Sequence, residues 1–162
     1  MKKYILIFLS ISIFNIYSIK AQVNGAILQG TGVTASGQYS SAIGHTCKAL
    51  GAMSFAGGWN ATAEGNVSFA FGDYSIAKLT NAIALGGNAQ AYRPYTIAIG
   101  NNTVAGMSAS PFSGTNAICI GNQSEALGDY SLALGQYVKA SGSNSIAIGK
   151  GYSTSQYLVN NT

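Results

Sequence analysis

Residues 144–149 read Asn144-Ser145-Ile146-Ala147-Ile148-Gly149, and the phrase returns as Tyr130-Ser131-Leu132-Ala133-Leu134-Gly135 and Val67-Ser68-Phe69-Ala70-Phe71-Gly72. Each phrase ends a short apolar run in a glycine. Aligned on that residue, the chain carries Gly30, Gly44, Gly58, Gly72, Gly86, Gly100, Gly121, Gly135 and Gly149. Every interval is 14 residues except Gly100 to Gly121, which is 21. A short period held over most of a chain marks a solenoid, in which each unit buries its face against the next.

Each unit divides again. With the closing glycine as position 0, position 5 is alanine in all eight units, from Ala35 and Ala49 to Ala126 and Ala140. Position 7 is glycine in five of the seven regular units, with Leu79 and Arg93 the exceptions. The unit is therefore a doublet of seven-residue halves, each a short strand after a glycine turn. The long interval holds three halves. Residues 114–120 fit the pattern and residues 107–113 do not, so 107–113 are expected as a loop extruded from one coil.

Alternation along a strand assigns the faces. In Ser145-Ile146-Ala147-Ile148-Gly149 the small residues share one face and the two isoleucines the other. The first half also has a small face; its other face is mixed and polar, with Lys48, Thr62, Glu64, Lys78, Gln90, Glu125, Lys139 and Ser141. Small residues on both strands imply a narrow interior. A 14-residue coil would wrap once and stack ~4.8 Å above the last, giving a parallel β-solenoid of about eight coils.

The bulky face pairs Phe69 with Phe71, Ile83 with Leu85, Ile97 with Ile99, Ile118 with Ile120, Leu132 with Leu134 and Ile146 with Ile148. Ile43 and Phe55 have the weaker partners Ser41 and Gly57. If the small face fills the interior, these side chains point outward. They exceed the apolar patch of a few hundred Å² that a monomer ordinarily exposes. The expectation is a homo-oligomer meeting along the solenoid axis, with those twelve paired residues as its interface. The alternative is a wider monomeric solenoid with the isoleucines inside.

The chain has 162 residues, with 21 Gly, 2 Pro, 48% hydrophobic and only 7% charged residues. So little charge argues against a generic soluble enzyme, and so much apolar content against disorder. The chain opens MKKYILIFLSISIFNIYSIKAQ. Two lysines, an apolar run from Tyr4 to Ile19 and a small residue before Gln22 read as a secretory signal peptide over 1–21, cleaved between Ala21 and Gln22. An uncleaved membrane anchor is the alternative, but the run is short for a span of roughly 20 residues. Removing 1–21 leaves five basic residues (Lys48, Lys78, Arg93, Lys139, Lys150) against four acidic ones (Glu64, Asp73, Glu125, Asp129), a net charge of +1. No nucleic-acid footprint survives.

The quoted phrases, the 14-residue spacing and the Ala-x-Gly of the other half resemble the head repeats of trimeric autotransporter adhesins of the YadA-like type. The likeness covers roughly residues 25–152. It implies an all-β, left-handed parallel β-roll assembled as a homotrimer, displayed on a bacterial surface or outer membrane, or secreted, for adhesion to host, matrix or cell-surface ligands. The domain reading is a head over 22–152 and a tail over 153–162. The sequence has no heptad run and no set of amphipathic barrel strands. The expectation is therefore a head that is secreted, held at the surface by a partner, or part of a longer chain.

Little in the sequence nominates chemistry. His45 is the single histidine and occupies a variable slot after a turn glycine, shared with Trp59, Asp73, Asn101 and Gln136; it is expected to be a solvated turn residue. Glu64, Asp73, Glu125 and Asp129 fall in four different slots and read as surface residues, with no pair placed for acid–base work. Cys47 and Cys119 lie about five coils apart, near 24 Å at strand spacing, too far for a disulfide. Cys119 reads as a small buried residue, while Cys47 is left open to an interchain bridge. No catalytic residue, metal site or cofactor is expected. Trp59, Tyr74, Tyr92, Tyr95, Tyr130 and Tyr137 are expected near turns or on the polar flank, where rigid aromatics suit recognition. Pro111 and Phe112 on the inserted loop are the other ligand-surface candidates. Aromatics that only stack along the edge, and a loop that is only tolerated, are the plain alternatives.

Three further functions weigh against an adhesin. A hexapeptide-type acyltransferase would need six-residue steps and a catalytic histidine. An ice- or crystal-surface binder would need an outward threonine ladder, and Lys48, Ile76 and Gln90 interrupt Thr34 and Thr62. A passive structural spacer in a larger surface assembly is the remaining alternative.

Overall fold

The computed structural model describes residues 25–107 and 113–151. All regular structure among them is β. One sheet has nine parallel strands: β1 (Ile27–Thr31), β3 (Ser41–His45), β5 (Phe55–Trp59), β7 (Phe69–Asp73), β9 (Ile83–Leu85), β11 (Ile97–Asn101), β13 (Ile118–Asn122), β15 (Leu132–Gln136) and β17 (Ile146–Lys150). The other has eight, each of two residues: β2 (Thr34–Ala35), β4 (Lys48–Ala49), β6 (Thr62–Ala63), β8 (Ile76–Ala77), β10 (Gln90–Ala91), β12 (Val104–Ala105), β14 (Glu125–Ala126) and β16 (Lys139–Ala140). The chain alternates between the sheets, so each long strand and the short strand after it make one coil. Coils stack in register, Leu132 on Ile146 and Ala126 on Ala140. This is a parallel β-solenoid of about eight turns, roughly 38 Å long at strand spacing.

The interior is built of small side chains. Ala56, Ala70, Ala84, Ala98 and Ala133 from the long strands, and Ala63, Ala77, Ala91 and Ala126 from the short ones, have no exposed surface. Cys119 takes the alanine slot of β13 and is equally buried. The two sheets lie back to back with only small groups between them, none of the wholly buried side chains being larger than threonine. The wider solenoid with isoleucines inside is not formed.

Four of the hydroxyl residues before the long strands serve the corners, while the buried Ser54 and Ser131 hydroxyls find no partner among the described residues. Ser40 Oγ donates to the Gly37 carbonyl at 2.7 Å, Ser68 Oγ to Gly65 at 2.6 Å and Thr96 Oγ1 to Arg93 at 2.6 Å. Each satisfies a carbonyl that the chain reversal takes out of the ladder.

A second rhythm of seven runs through the corners. Tyr39, Thr46, Met53, Asn60, Val67, Tyr74, Asn81, Asn88, Tyr95 and Asn102 all have φ between 52° and 59°. The left-handed region is uncommon for such residues and an outlier for the β-branched Thr46 and Val67. It is held because, from Thr46 onward, each N–H still reaches the coil before it: Met53 N donates to the Gln38 carbonyl at 2.7 Å and Val67 N to Ala52 at 2.8 Å. Stacking outweighs local preference at every corner.

Candidate functional site

The outer face of the nine-stranded sheet carries two apolar columns. In the first, Phe55, Phe69, Ile83, Ile97, Ile118, Leu132 and Ile146 lie in unbroken register. In the second, Phe71, Leu85, Ile99, Ile120, Leu134 and Ile148 do the same. Phe71 is 51% exposed and Ile148 65% exposed; most of the others are half-buried by their column neighbours. Alternation puts the alanines between them inside, which forces these side chains out. At Gly57 the second column lacks a side chain, and a Cβ there would lie 2.8 Å from the Phe71 ring and 2.9 Å from the Phe55 ring. Phe55 also stacks on Phe69, centroids 4.8 Å apart. The rings thus close the gap that Gly57 leaves.

The eight-stranded sheet presents a polar face. Lys78 Nζ lies 2.9 Å from Glu64 Oε2, and Lys139 Nζ 2.8 Å from Glu125 Oε2. Both pairs span one coil, so opposite charges occupy the same slot of successive units. Exposed pairs of this kind contribute little stability, and they leave the face close to neutral. Thr34, Lys48, Thr62, Ile76 and Gln90 follow one another along it, so no threonine ladder forms.

His45 is not a free, solvated turn residue. It ends β3, is half-buried, and stacks on Trp59 with ring centroids 4.0 Å apart and planes 12° from parallel. Trp59, Tyr74, Tyr95, Tyr130 and Tyr137 are exposed. Tyr92 is half-buried, and its hydroxyl donates to Gln90 Oε1 at 2.6 Å. Tyr39 and Met53, about 60% exposed, share the corner column of Tyr95 and Tyr130; spacing by 14 residues would have found both. Pro111 and Phe112, the signal segment with Ala21 and Gln22, and the tail lie outside the described residues.

The insertion begins and ends at one point of the coil. Met107 N donates to the Ser113 carbonyl at 2.9 Å. Arg93 Nε donates to the Met107 carbonyl at 2.7 Å. Asp129 Oδ1 accepts from Gly114 N at 2.8 Å and Thr115 N at 2.9 Å. Asp129 therefore clamps the returning chain and is more than a surface charge. Asp129 falls in a variable slot, and Arg93, although it breaks the glycine rule at position 7, carries no sign in the sequence of what it meets.

Cys47 and Cys119 are both free and fully buried. Burial overturns the open reading of Cys47 as an interchain bridge: its Sγ faces the interior and donates to the Gly58 carbonyl at 3.2 Å. Desolvation pushes the Cys119 thiol up to about 11, against smaller opposing contributions from backbone hydrogen bonds at Val104 and Ala126. Among the described residues no three His, Cys, Asp or Glu side chains gather as a metal site. Among them, too, no helix is long and apolar enough to cross a membrane.

Among curated proteins none matches the chain. A family model does: the YadA head domain repeat, in two copies, matches residues 35–61, 80–103, 113–137 and 139–151. The matched segments hold both halves of the 14-residue unit, and the third resumes where the insertion ends. They make up more than half of the chain, which thus belongs to the YadA head domain repeat family.

Proposed function

We propose that this protein is the head of an exported bacterial adhesin that binds by multivalency and performs no catalysis. Membership of the YadA head repeat family supports an adhesin-like, surface-exposed role. The carrying observation is the pair of exposed apolar columns on the nine-stranded sheet. Covering them would contribute on the order of 1.5 kcal/mol or more for each fully buried side chain. Three copies meeting on that face, each wound as a left-handed roll, bury the columns and leave the polar sheets and corners outward. Three identical outer surfaces convert weak contacts with host, matrix or cell-surface ligands into avidity. Exposed aromatics at the corners and the inserted loop are the surfaces that meet those ligands. The signal segment at 1–21 delivers the head to the cell exterior.

Light scattering on a size-exclusion column tests the assembly. Mature residues 22–162 are expected at three times the monomer mass, and Ile97→Asp with Ile148→Asp at one. A stable soluble monomer of the unsubstituted head would remove the basis for multivalent binding.

A further inference from the structure

The corner beside the apolar columns carries a notch. Its first wall is Trp59, 51% exposed. One face of the indole is covered by the His45 ring of the preceding coil, nearly parallel at 4.0 Å. The other face is therefore turned along the solenoid axis toward the next coil. That coil supplies Asp73, in register with Trp59 and exposed. The coil after supplies Gly87, which has no side chain. The far wall is Asn101, whose Nδ2 reaches to 3.0 Å from where a Cβ on Gly87 would stand. Asn101 is braced in turn: Asn102 Nδ2 donates to its Oδ1, Asn88 Nδ2 donates to Asn102 Oδ1 at 2.8 Å, and Gln90 Nε2 donates to Asn88 Oδ1 at 2.7 Å.

We propose that the notch bounded by Trp59, Asp73, Gly87 and Asn101 binds a neutral oligosaccharide. A flat, rigid aromatic that is half exposed and carries a stacked ring on one face only takes the apolar C–H face of a pyranose at little entropic cost. Asp73 accepts hydroxyl hydrogen bonds at the ring edge, and charge-assisted bonds are the stronger ones. The Asn101 amide both donates and accepts, as sugar hydroxyls require. Gly87 adds no side chain between Asp73 and Asn101, so the ring sits over its backbone. Three coil steps of ~4.8 Å separate Trp59 from Asn101, a span that suits a short extended chain of sugar units and exceeds one. The single formal charge in the notch is the Asp73 carboxylate, which disfavours acidic sugars. This deepens the adhesin reading by naming a ligand class, and rests on that reading for its biological setting.

Trp59 is the one tryptophan of the chain, so its fluorescence reports this site alone. The whole protein is titrated with neutral gluco-, galacto-, manno- and N-acetylglucosamine oligosaccharides of increasing length, and with a sialylated trisaccharide. A saturable blue shift is expected with one neutral series, tightening from mono- to trisaccharide. Asp73→Asn should weaken it by about tenfold, the scale of one good contact at a binding hot spot. Gly87 has ordinary backbone geometry, so Gly87→Val fills the notch and should abolish the shift. No response to any neutral series, a preference for the sialylated sugar, or full responses in both variants overturns the proposal. Cell binding separates the two readings. A Trp59→Ala protein that coats cells like the parent, when the parent shows no sugar response, removes the glycan site and leaves the adhesin. A parent that takes sugar but binds no cell or matrix does the reverse.

Discussion

Gly100 and Gly121 are partners in one ladder although 21 residues separate them. Every other pair of closing glycines is 14 apart. The extra seven residues leave the coil at Met107 and return at Ser113, hydrogen-bonded to each other, so the stack above and below does not register them. Excising 107–113 joins Gly106 to Gly114 and restores a 14-residue unit. The deletion is expected to leave the melting temperature within a few degrees of the parent, since no stacked residue is lost. Gly100→Ala is the opposite case. Gly100 has φ 125°, and a Cβ would stand 1.8 Å from the Gly121 carbonyl oxygen. Neither the chain nor the ladder can yield there, and a loss above about 3 kcal/mol is expected. Thermal unfolding of the two variants side by side measures the contrast.

Asp129 holds the returning end of the insertion through two backbone N–H groups. Asp129→Ala leaves both donors without that partner. A cost of about 1–3 kcal/mol is expected if water does not replace it. Amide exchange should quicken at Gly114 and Thr115 and remain slow at Ala98 and Ala133. Uniform acceleration along the whole solenoid would show that the clamp supports the fold and not the loop base.

The coil, the two sheets and the buried alanines were legible because the repeat averages out local accidents. Nine glycines in register say more than any one of them. What escaped was pairing within a slot. Glu64 and Lys78, Glu125 and Lys139, and His45 and Trp59 each lie 14 residues apart and meet across one coil step. Reading each carboxylate by itself hid its lysine. The left-handed corners were half visible: Asn60, Asn81, Asn88 and Asn102 mark them by residue type. Met53 and Val67 in the same role carry no local signal, since the coil beneath dictates their backbone. Asp129 and Arg93 could not be read as a clamp, because their function depends on where an irregular segment re-enters.

The interior should reject volume even where chemistry is conserved. Ala98 lies between Ala84 and Cys119 in its sheet and is wholly buried. Ala98→Leu adds three carbons to a space bounded by two backbones. Overpacking costs about 1–3 kcal/mol in an ordinary core and more where the walls are main chain. Ile99→Ala, on the outward column, should cost the isolated subunit less than about 1 kcal/mol and, on the proposed trimer, weaken assembly. Urea unfolding for the first and solution mass for the second distinguish the faces. A tolerant Ala98 site would mean that the two sheets can move apart.

Cys119 makes the fold sensitive to alkali. Its thiol is raised from 9.0 to about 11, chiefly because burial penalises the thiolate. The folded state therefore holds its proton where the unfolded chain has released it. A pKa raised by folding contributes stability that is complete below the unfolded value and is lost as pH climbs through the folded one. The window is pH 9 to 11, and the loss is on the order of 2 kcal/mol. Cys119→Ala removes this contribution and restores the residue most common in that slot. The difference in stability between parent and variant should be flat from pH 6 to 8 and shift in favour of the variant above pH 9. The same burial predicts that a thiol reagent labels Cys119 only as fast as the solenoid opens. Labelling at the rate of an exposed cysteine in the native head would contradict both the burial and the alkaline loss.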